Sequence, residues 1–203
     1  KKNYSKAFKW FKLSAQQRFA DAQYSLGLML EKGNGVQKNF KEALKWYKLA
    51  AEQGNSSGQF ATGALYSSGN LGSRDYNEAT KWWNLAAKQG DIDSQIMLGL
   101  MYEIGWDGVP GDLEESFKWY KLAAEQGNAQ AQAEVGYMYY LGSGVRINWK
   151  QALYWGTLAE TQGHKFEEEY LSSVKRGIKS MTTKELKEFE KTMGEHKKKI
   201  LPD

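Results

Sequence analysis

The residues able to do chemistry are few in this chain and poorly placed for it. Its 203 residues include no cysteine and two histidines, His164 and His196. The histidines lie far apart with no metal-ligand spacing around either, so the sequence offers neither a thiol nucleophile nor a histidine-centred metal site. Glu167, Glu168 and Glu169 are consecutive and so point in different directions on a helix, unlike the facing carboxylates of acid–base catalysis. Gly33-Asn34-Gly35 and Gly142-Ser143-Gly144 have the look of phosphate loops, yet neither carries the Lys-Ser/Thr of a P-loop; they read as interhelical turns. Asn3-Tyr4-Ser5 and Asn55-Ser56-Ser57 match the glycosylation acceptor pattern, a match too short to carry weight alone. No catalytic, cofactor-binding or metal-ligating set emerges, and function is expected to reside in surface.

The spacing that does stand out is structural. Trp10, Trp46, Trp82, Trp119 and Trp155 follow one another at steps of 36, 36, 37 and 36 residues, a period that belongs to stacked repeats. Each tryptophan sits in a copy of Ala43-Leu-Lys-Trp46-Tyr47-Lys-Leu-Ala50-Ala51-Glu-Gln-Gly54-Asn55. A second block, Gln95-Ile-Met-Leu98-Gly99-Leu-Met-Tyr102, precedes it, with sisters beginning at Gln23, Gln59 and Gln132.

Both blocks predict helices. Ala43, Trp46, Tyr47, Ala50 and Ala51 form the stripe of a helix buried along one face, here termed helix B, and Gly54 stops it. Asn39/Glu42, Asp75/Glu78, Asp112/Glu115 and Asn148/Gln151 stand three apart at each helix B start, a capping-box pattern. The other block is helix A. Its recurring Gly27, Gly63, Gly99 and Gly136 each cost about 1 kcal/mol relative to alanine, so a neighbouring helix is expected to pass too close for a methyl group. The register tryptophans are expected to form the core, each contributing about 4–6 kcal/mol at ~25 cal/mol per Å², and Trp82→Ala to cost about 3–5 kcal/mol.

The order Leu-Gly-x-Met-Tyr, Gly-x-Gly-Val, then Asp-x-x-x-Ala-x-x-Trp-Tyr-x-x-Ala-Ala-x-x-Gly-Asn resembles the Sel1-like repeat, a relative of the tetratricopeptide repeat. The resemblance implies an all-α, right-handed α-solenoid of helix-turn-helix repeats. Residues 1–163 are assigned to the array, with a half repeat at 1–18 and full repeats at about 22–54, 58–90, 94–127 and 131–163. Residues 164–203 are assigned to a degenerate repeat and capping helices. Glu167 to Gly177 aligns as a degenerate helix A, and Thr182 with Glu185, Met181 against Leu186, and the stripe Leu186, Phe189 and Met193 mark a further helix. An atypical polar last repeat closes the open end of a solenoid core. The loops at Gly69-Asn-Leu-Gly-Ser73 and Gly105-Trp-Asp-Gly-Val-Pro110 depart from the pattern. The chain opens at Lys1 inside a repeat and reads as a trimmed fragment or matured product.

Net charge is +4, but residues 1–163 hold 18 Lys or Arg against 16 acids and the remainder 10 against 8. Lys45, Lys48, Lys81, Lys118 and Lys121 fall on the polar outside of helix B, a solvated face rather than a nucleic-acid surface; Lys197-Lys198-Lys199 reads as a helix end. No apolar run approaches the ~20 residues of a membrane span. The resemblance favours a periplasmic or secreted, bacterial, monomeric protein over a cytoplasmic one.

By the same resemblance helix A lines a concave face that takes a partner protein or peptide. Its non-core positions give Tyr24, Leu28, Glu31, Phe60, Ile96, Leu100, Glu103, Ile104, Tyr137, Tyr140 and Leu141 as candidate contacts, apolar and aromatic for a face that meets water. The favoured anchors are Tyr137, Tyr140 and Leu141, with Glu31 and Glu103 selecting positive charge. Alanine at both tyrosines is expected to abolish capture and leave the melting curve nearly unchanged, and the loops around Trp106 and Trp149 are the fallback site. The expected function is a non-enzymatic scaffold or adaptor, including virulence or host-contact roles. The alternatives are an immunity protein that neutralises a secreted toxin and, more weakly, a cell-wall-active enzyme.

Overall fold

The computed structural model describes residues 3–179 together with 182–184, 187 and 191. Among them are ten α-helices: α1 (Tyr4–Gln16), α2 (Ala20–Lys32), α3 (Phe40–Glu52), α4 (Ser56–Ser68), α5 (Tyr76–Lys88), α6 (Ile92–Ile104), α7 (Leu113–Glu125), α8 (Ala129–Leu141), α9 (Trp149–Thr161) and α10 (Glu168–Lys179). Even-numbered α2 to α8 are the A helices and odd-numbered α1 to α9 the B helices. The described residues fall into two compact units. One runs to Ser94 and includes Trp106–Val109; the other holds Gln95–Gly105 and the residues from Pro110 onward. In the first, α2 pairs with α3 and α4 with α5, α1 packs on α2 and α3 on α4; in the second, α8 pairs with α9, α7 packs on α8, and α10 lies against α8 and α9. The staple of Met181 on Leu186, the box partner Glu185, Phe189, Met193 and the terminal lysines lie outside the described residues.

Three of the A–B pairs are fixed by a glycine notch and an aromatic wedge. A methyl group built on Gly27 or Gly63 would sit 2.6 Å from the ring of Tyr47 or Trp83, and on Gly99 2.7 Å from the ring of Tyr120. These rings are the most deeply buried aromatics, at 0%, 0% and 2% exposure. The wedge is therefore the residue after the recurring tryptophan. Trp46, Trp82 and Trp119 are half-buried, Trp10 is 71% exposed, and of the five only Trp155 is buried. This corrects the expectation of a tryptophan core. Two adjacent aromatics straddle one helical stripe, and the notch, which the period alone does not orient, selects the second of them.

Capping is half as expected. Asn39, Asp75 and Asn148 accept from the backbone N–H three residues on, at 3.0, 2.9 and 3.1 Å, and Asp112 accepts from Glu114 and Glu115. The reciprocal half of the box is not formed. The N–H of each cap instead donates to the preceding A helix, Asn39 to Leu30 O, Asp75 to Tyr66 O, Asp112 to Tyr102 O and Asn148 to Tyr139 O. Glu78 and Glu115 turn outward to Lys81 and Lys118, each at 2.5 Å. A interhelical bond thus replaces a local one, and stitches the loop to the hairpin.

A third device is polar and buried. Gln23, Gln59 and Gln132 each donate to the C-terminal end of the preceding B helix, at Ala15, Ala51 and Ala124 O, over 3.1, 3.1 and 3.2 Å. Their amide oxygens accept from Gln53, Gln89 and Gln162 at the end of the following B helix, and Gln95 accepts likewise from Gln126, at 2.6 to 2.8 Å. One glutamine so adds a second donor to a helix-end carbonyl that already accepts a backbone N–H and ties three helices together.

The wedge makes a direct stability prediction. Trp83→Ala is expected to lose about 3–5 kcal/mol by cavity formation, and Trp82→Ala markedly less. Gly99→Ala, which forces a methyl into the Tyr120 ring, should cost about 1–3 kcal/mol. Urea midpoints followed by circular dichroism decide the matter, and equal losses from the two tryptophans would return the core to the register position.

Candidate interaction surface

In the first unit the helix-A candidates are committed to packing. Tyr24 lies against Tyr47, with ring centroids 5.7 Å apart, and Leu28 packs against the hydrophobic core. Glu31 is half-buried and accepts the Tyr47 hydroxyl at 2.5 Å. Phe60 is half-buried, and its carbonyl accepts the Trp83 indole N–H at 3.3 Å. Trp106, a fallback candidate, packs on Tyr76 and Trp83, 4.7 and 6.4 Å between centroids, and pairs with Val109 in an isolated β-bridge. Its loop insertion is a lid on the α5 aromatics rather than a free recognition loop.

The second unit divides its candidates differently. Ile96 and Leu100 are half-buried, and Glu103 accepts the Tyr120 hydroxyl at 3.0 Å, so both glutamates expected to meet a partner's charge already hold a wedge hydroxyl. Ile104 and Leu141, equivalent last residues of consecutive A helices, are each 62% exposed. In the first unit the same position carries Lys32 and Ser68. Ala133, one turn before Tyr137 on α8, is buried at 1%. Leu141 borders a cavity of about 250 Å³ lined by Tyr137, Tyr140, Glu167, Glu169 and Tyr170.

Tyr137 and Tyr140 are not free anchors. Tyr137 packs on Phe166 and Tyr170 at 5.3 and 4.8 Å, and Tyr140 on Trp149 and Tyr170 at 5.6 and 5.3 Å. The cause is at the wedge position, where the fourth full repeat has Gly156. Tyr170 fills the vacancy from α10, its hydroxyl donating to Ala152 O at 2.6 Å and lying where a Cβ on Gly136 or Gly156 would be, 2.9 and 2.5 Å away. Alignment places Tyr170 in a degenerate helix A; in three dimensions it does the work of a helix B aromatic. Phe166 stacks on it at 4.4 Å, and His164, in the turn, meets Phe166 at 4.6 Å.

Burial sets the ionisation of these groups. The Tyr47 hydroxyl is pushed well above the usual phenol range by burial, then by its bond to Glu31 and that carboxylate's charge. Burial and Glu103 do the same to Tyr120, and burial leads again for Tyr170, while Tyr154 is pushed up to about 12. Glu134 is raised by burial and then by the negative charge of Glu103. Among the described residues no group of His, Asp and Glu is placed to hold a metal ion, and no helix is long and apolar enough to cross a membrane.

An array of notched hairpins defines a helical-repeat protein. The Sel1 repeat family model matches residues 1–19, 20–55, 56–91, 92–128 and 129–164, and the chain belongs to that family, whose repeats generally mediate protein–protein interaction on a typically non-catalytic scaffold. A Sel1 repeat protein of Oxalobacter formigenes is 36% identical, covering 81% of this chain and 68% of its own, with a TM-score of 0.74. One from Klebsiella pneumoniae is 25% identical over 85% of this chain and 84% of its own, with a TM-score of 0.52. An immunity protein of Pseudomonas aeruginosa shares the fold at 23% identity, over 80% of this chain and 60% of its own, with a TM-score of 0.50. No curated protein matches the sequence significantly.

Three outcomes follow from this geometry. Tyr137→Ala with Tyr140→Ala is expected to lower the thermal midpoint, because both rings border the Tyr170 plug; an unchanged melt would restore them as free anchors. The raised tyrosines are neutral in the folded protein while the unfolded chain ionises them near 10. Their stabilisation is therefore complete below pH 10 and is lost as pH rises through the folded values. Tyr47→Phe and Tyr120→Phe should flatten that alkaline loss in urea titrations. For Glu134 the raised carboxyl means a contribution present below the unfolded value and lost as pH rises, so Glu134→Gln should gain stability at pH 7 and lose that advantage in acid.

Proposed function

We propose that this chain is a non-enzymatic adaptor whose helix-A surface in the second unit takes a partner protein, with residues 164–203 serving as the array's cap. The observation that carries this reading is the exposed pair Ile104 and Leu141, apolar where the preceding repeats have lysine and serine. Ile96, Leu100 and the Glu167 and Glu169 rim of the cavity beside Leu141 extend the patch. Exposed apolar side chains of this size at equivalent repeat positions suit an apolar anchor from a partner, and the carboxylates around them favour a partner with positive charge near that anchor. Tyr24, Leu28 and Phe60 support the array from beneath.

The test substitutes glutamate at both exposed positions. Ile104→Glu with Leu141→Glu should leave the melting curve unchanged and remove the proteins that immobilised wild-type chain retains from a bacterial lysate, as identified by mass spectrometry. Retention of the same proteins by the variant would move the interaction off this surface.

A further inference from the structure

We propose that the helix-B surface centred on Trp46 and Leu49 is a second docking site, and that its occupant is an acidic amphipathic helix of a partner protein. Trp46 and Leu49 stand one turn apart on α3, the first half-buried and the second 43% exposed. They form a ridge between two hollows. One, of about 490 Å³, is floored by Ala15 and Gln23 and edged by Arg18 and Glu52; the other, of about 450 Å³, is edged by Lys41, Lys45 and Glu42. Both hollows share the same tryptophan and leucine. A helix laid across this ridge would set apolar side chains one turn apart into the two hollows, which is the helix-in-groove mode of recognition.

Charge names the occupant. The B helices of the first unit, α1, α3 and α5, carry Lys6, Lys9, Lys12, Lys41, Lys45, Lys48, Lys81 and Lys88 against Glu42, Glu52 and Glu78. At the ridge itself Arg18, Lys41 and Lys45 line the hollows against Glu42 and Glu52, a cationic excess of one. Arg18 adds a second sign. It is the one non-glycine with positive φ among the described residues, at 67°, and it occupies the helix-end position that is glycine at 54, 90, 127 and 163 with φ of 85° to 91°. A left-handed arginine is a strained choice, and here it holds a guanidinium at the rim of the larger hollow. An anionic lipid surface would answer the charge but has no side chains to enter two discrete hollows, so a helix is the better fit.

A displayed library of amphipathic helical peptides, with apolar residues fixed at i, i+3, i+4 and i+7 and Glu, Lys or Gln varied between them, is selected on the full chain. Enriched peptides are then measured by fluorescence anisotropy against wild type, Leu49→Glu and Lys45→Glu, after melting curves show both variants folded. The expected result is a set of Glu-rich peptides weakened about tenfold or more by each substitution and weakened by added salt. These same peptides should bind the Ile104→Glu, Leu141→Glu protein as they bind wild type, which separates this site from the helix-A surface. A Leu49-sensitive set that is Lys-rich, or no Leu49-sensitive set at all, overturns the proposal. Leu49-dependent binding to phosphatidylserine vesicles without peptide binding overturns it in favour of a lipid surface.

Discussion

Everything in this molecule hangs on the contact between a glycine in one helix and the face of an aromatic ring in the next. The glycine is unfavourable in a helix interior, and the ring is too large to bury against any side chain at that point. Together they bring two backbones into contact and place a large apolar surface out of water. The approach of A to B set in this way decides where every other position of the hairpin points. It also explains why a Tyr, a Trp and a Tyr serve interchangeably at 47, 83 and 120: the notch admits a flat ring and is indifferent to what the ring carries. What the ring carries is then satisfied locally, by Glu31 and Glu103 for the tyrosines and by the Phe60 carbonyl for the tryptophan.

The fourth full repeat shows the same constraint from its failure. With Gly156 at the wedge position the notch would be left empty, and two facing glycines would leave a void that costs packing on every side. Tyr170 enters from α10 and closes it. Helix α10 is thereby bound by the repeat's own rule, with an aromatic delivered from outside the hairpin, and the tyrosines of α8 are drawn into its support. A surface that reads as open at positions 137 and 140 is covered because a hole elsewhere had to be filled.

Much of the architecture was legible in the residues: the period, both helices of each repeat, the caps, the glycine stops and the close approach at Gly27 and its equivalents. Three things were not, and each for a physical reason. Helical periodicity resolves a face but not which of Trp82 and Trp83 lies at its centre, since adjacent residues differ by only about 100°. A capping-box pattern records compatible side chains, whereas whether the cap N–H goes to Glu42 or to the Leu30 carbonyl depends on a helix packed alongside. The recurring glutamine was visible at 23, 59, 95 and 132, but its role needs three helices in place at once. For the candidate interaction surface the positions were legible and their availability was not, because exposure at Tyr137 depends on Tyr170, a residue from the next element.

The exposed residues that remain after these accounts are those where the repeat's demands stop. Ile104 and Leu141 end their helices beyond the last notch contact, and Leu49 is exposed on α3 past the wedge. The helix-end position is not needed to close a hairpin, as Lys32 and Ser68 show. A repeat array separates its duties in this way: the glycine, the ring and the glutamine are bound by the neighbouring helix, so recognition can vary only at residues that this packing leaves unclaimed. Apolar side chains kept at such unclaimed positions gain nothing from the fold that holds them, and it is the partner's surface that would give their burial its value.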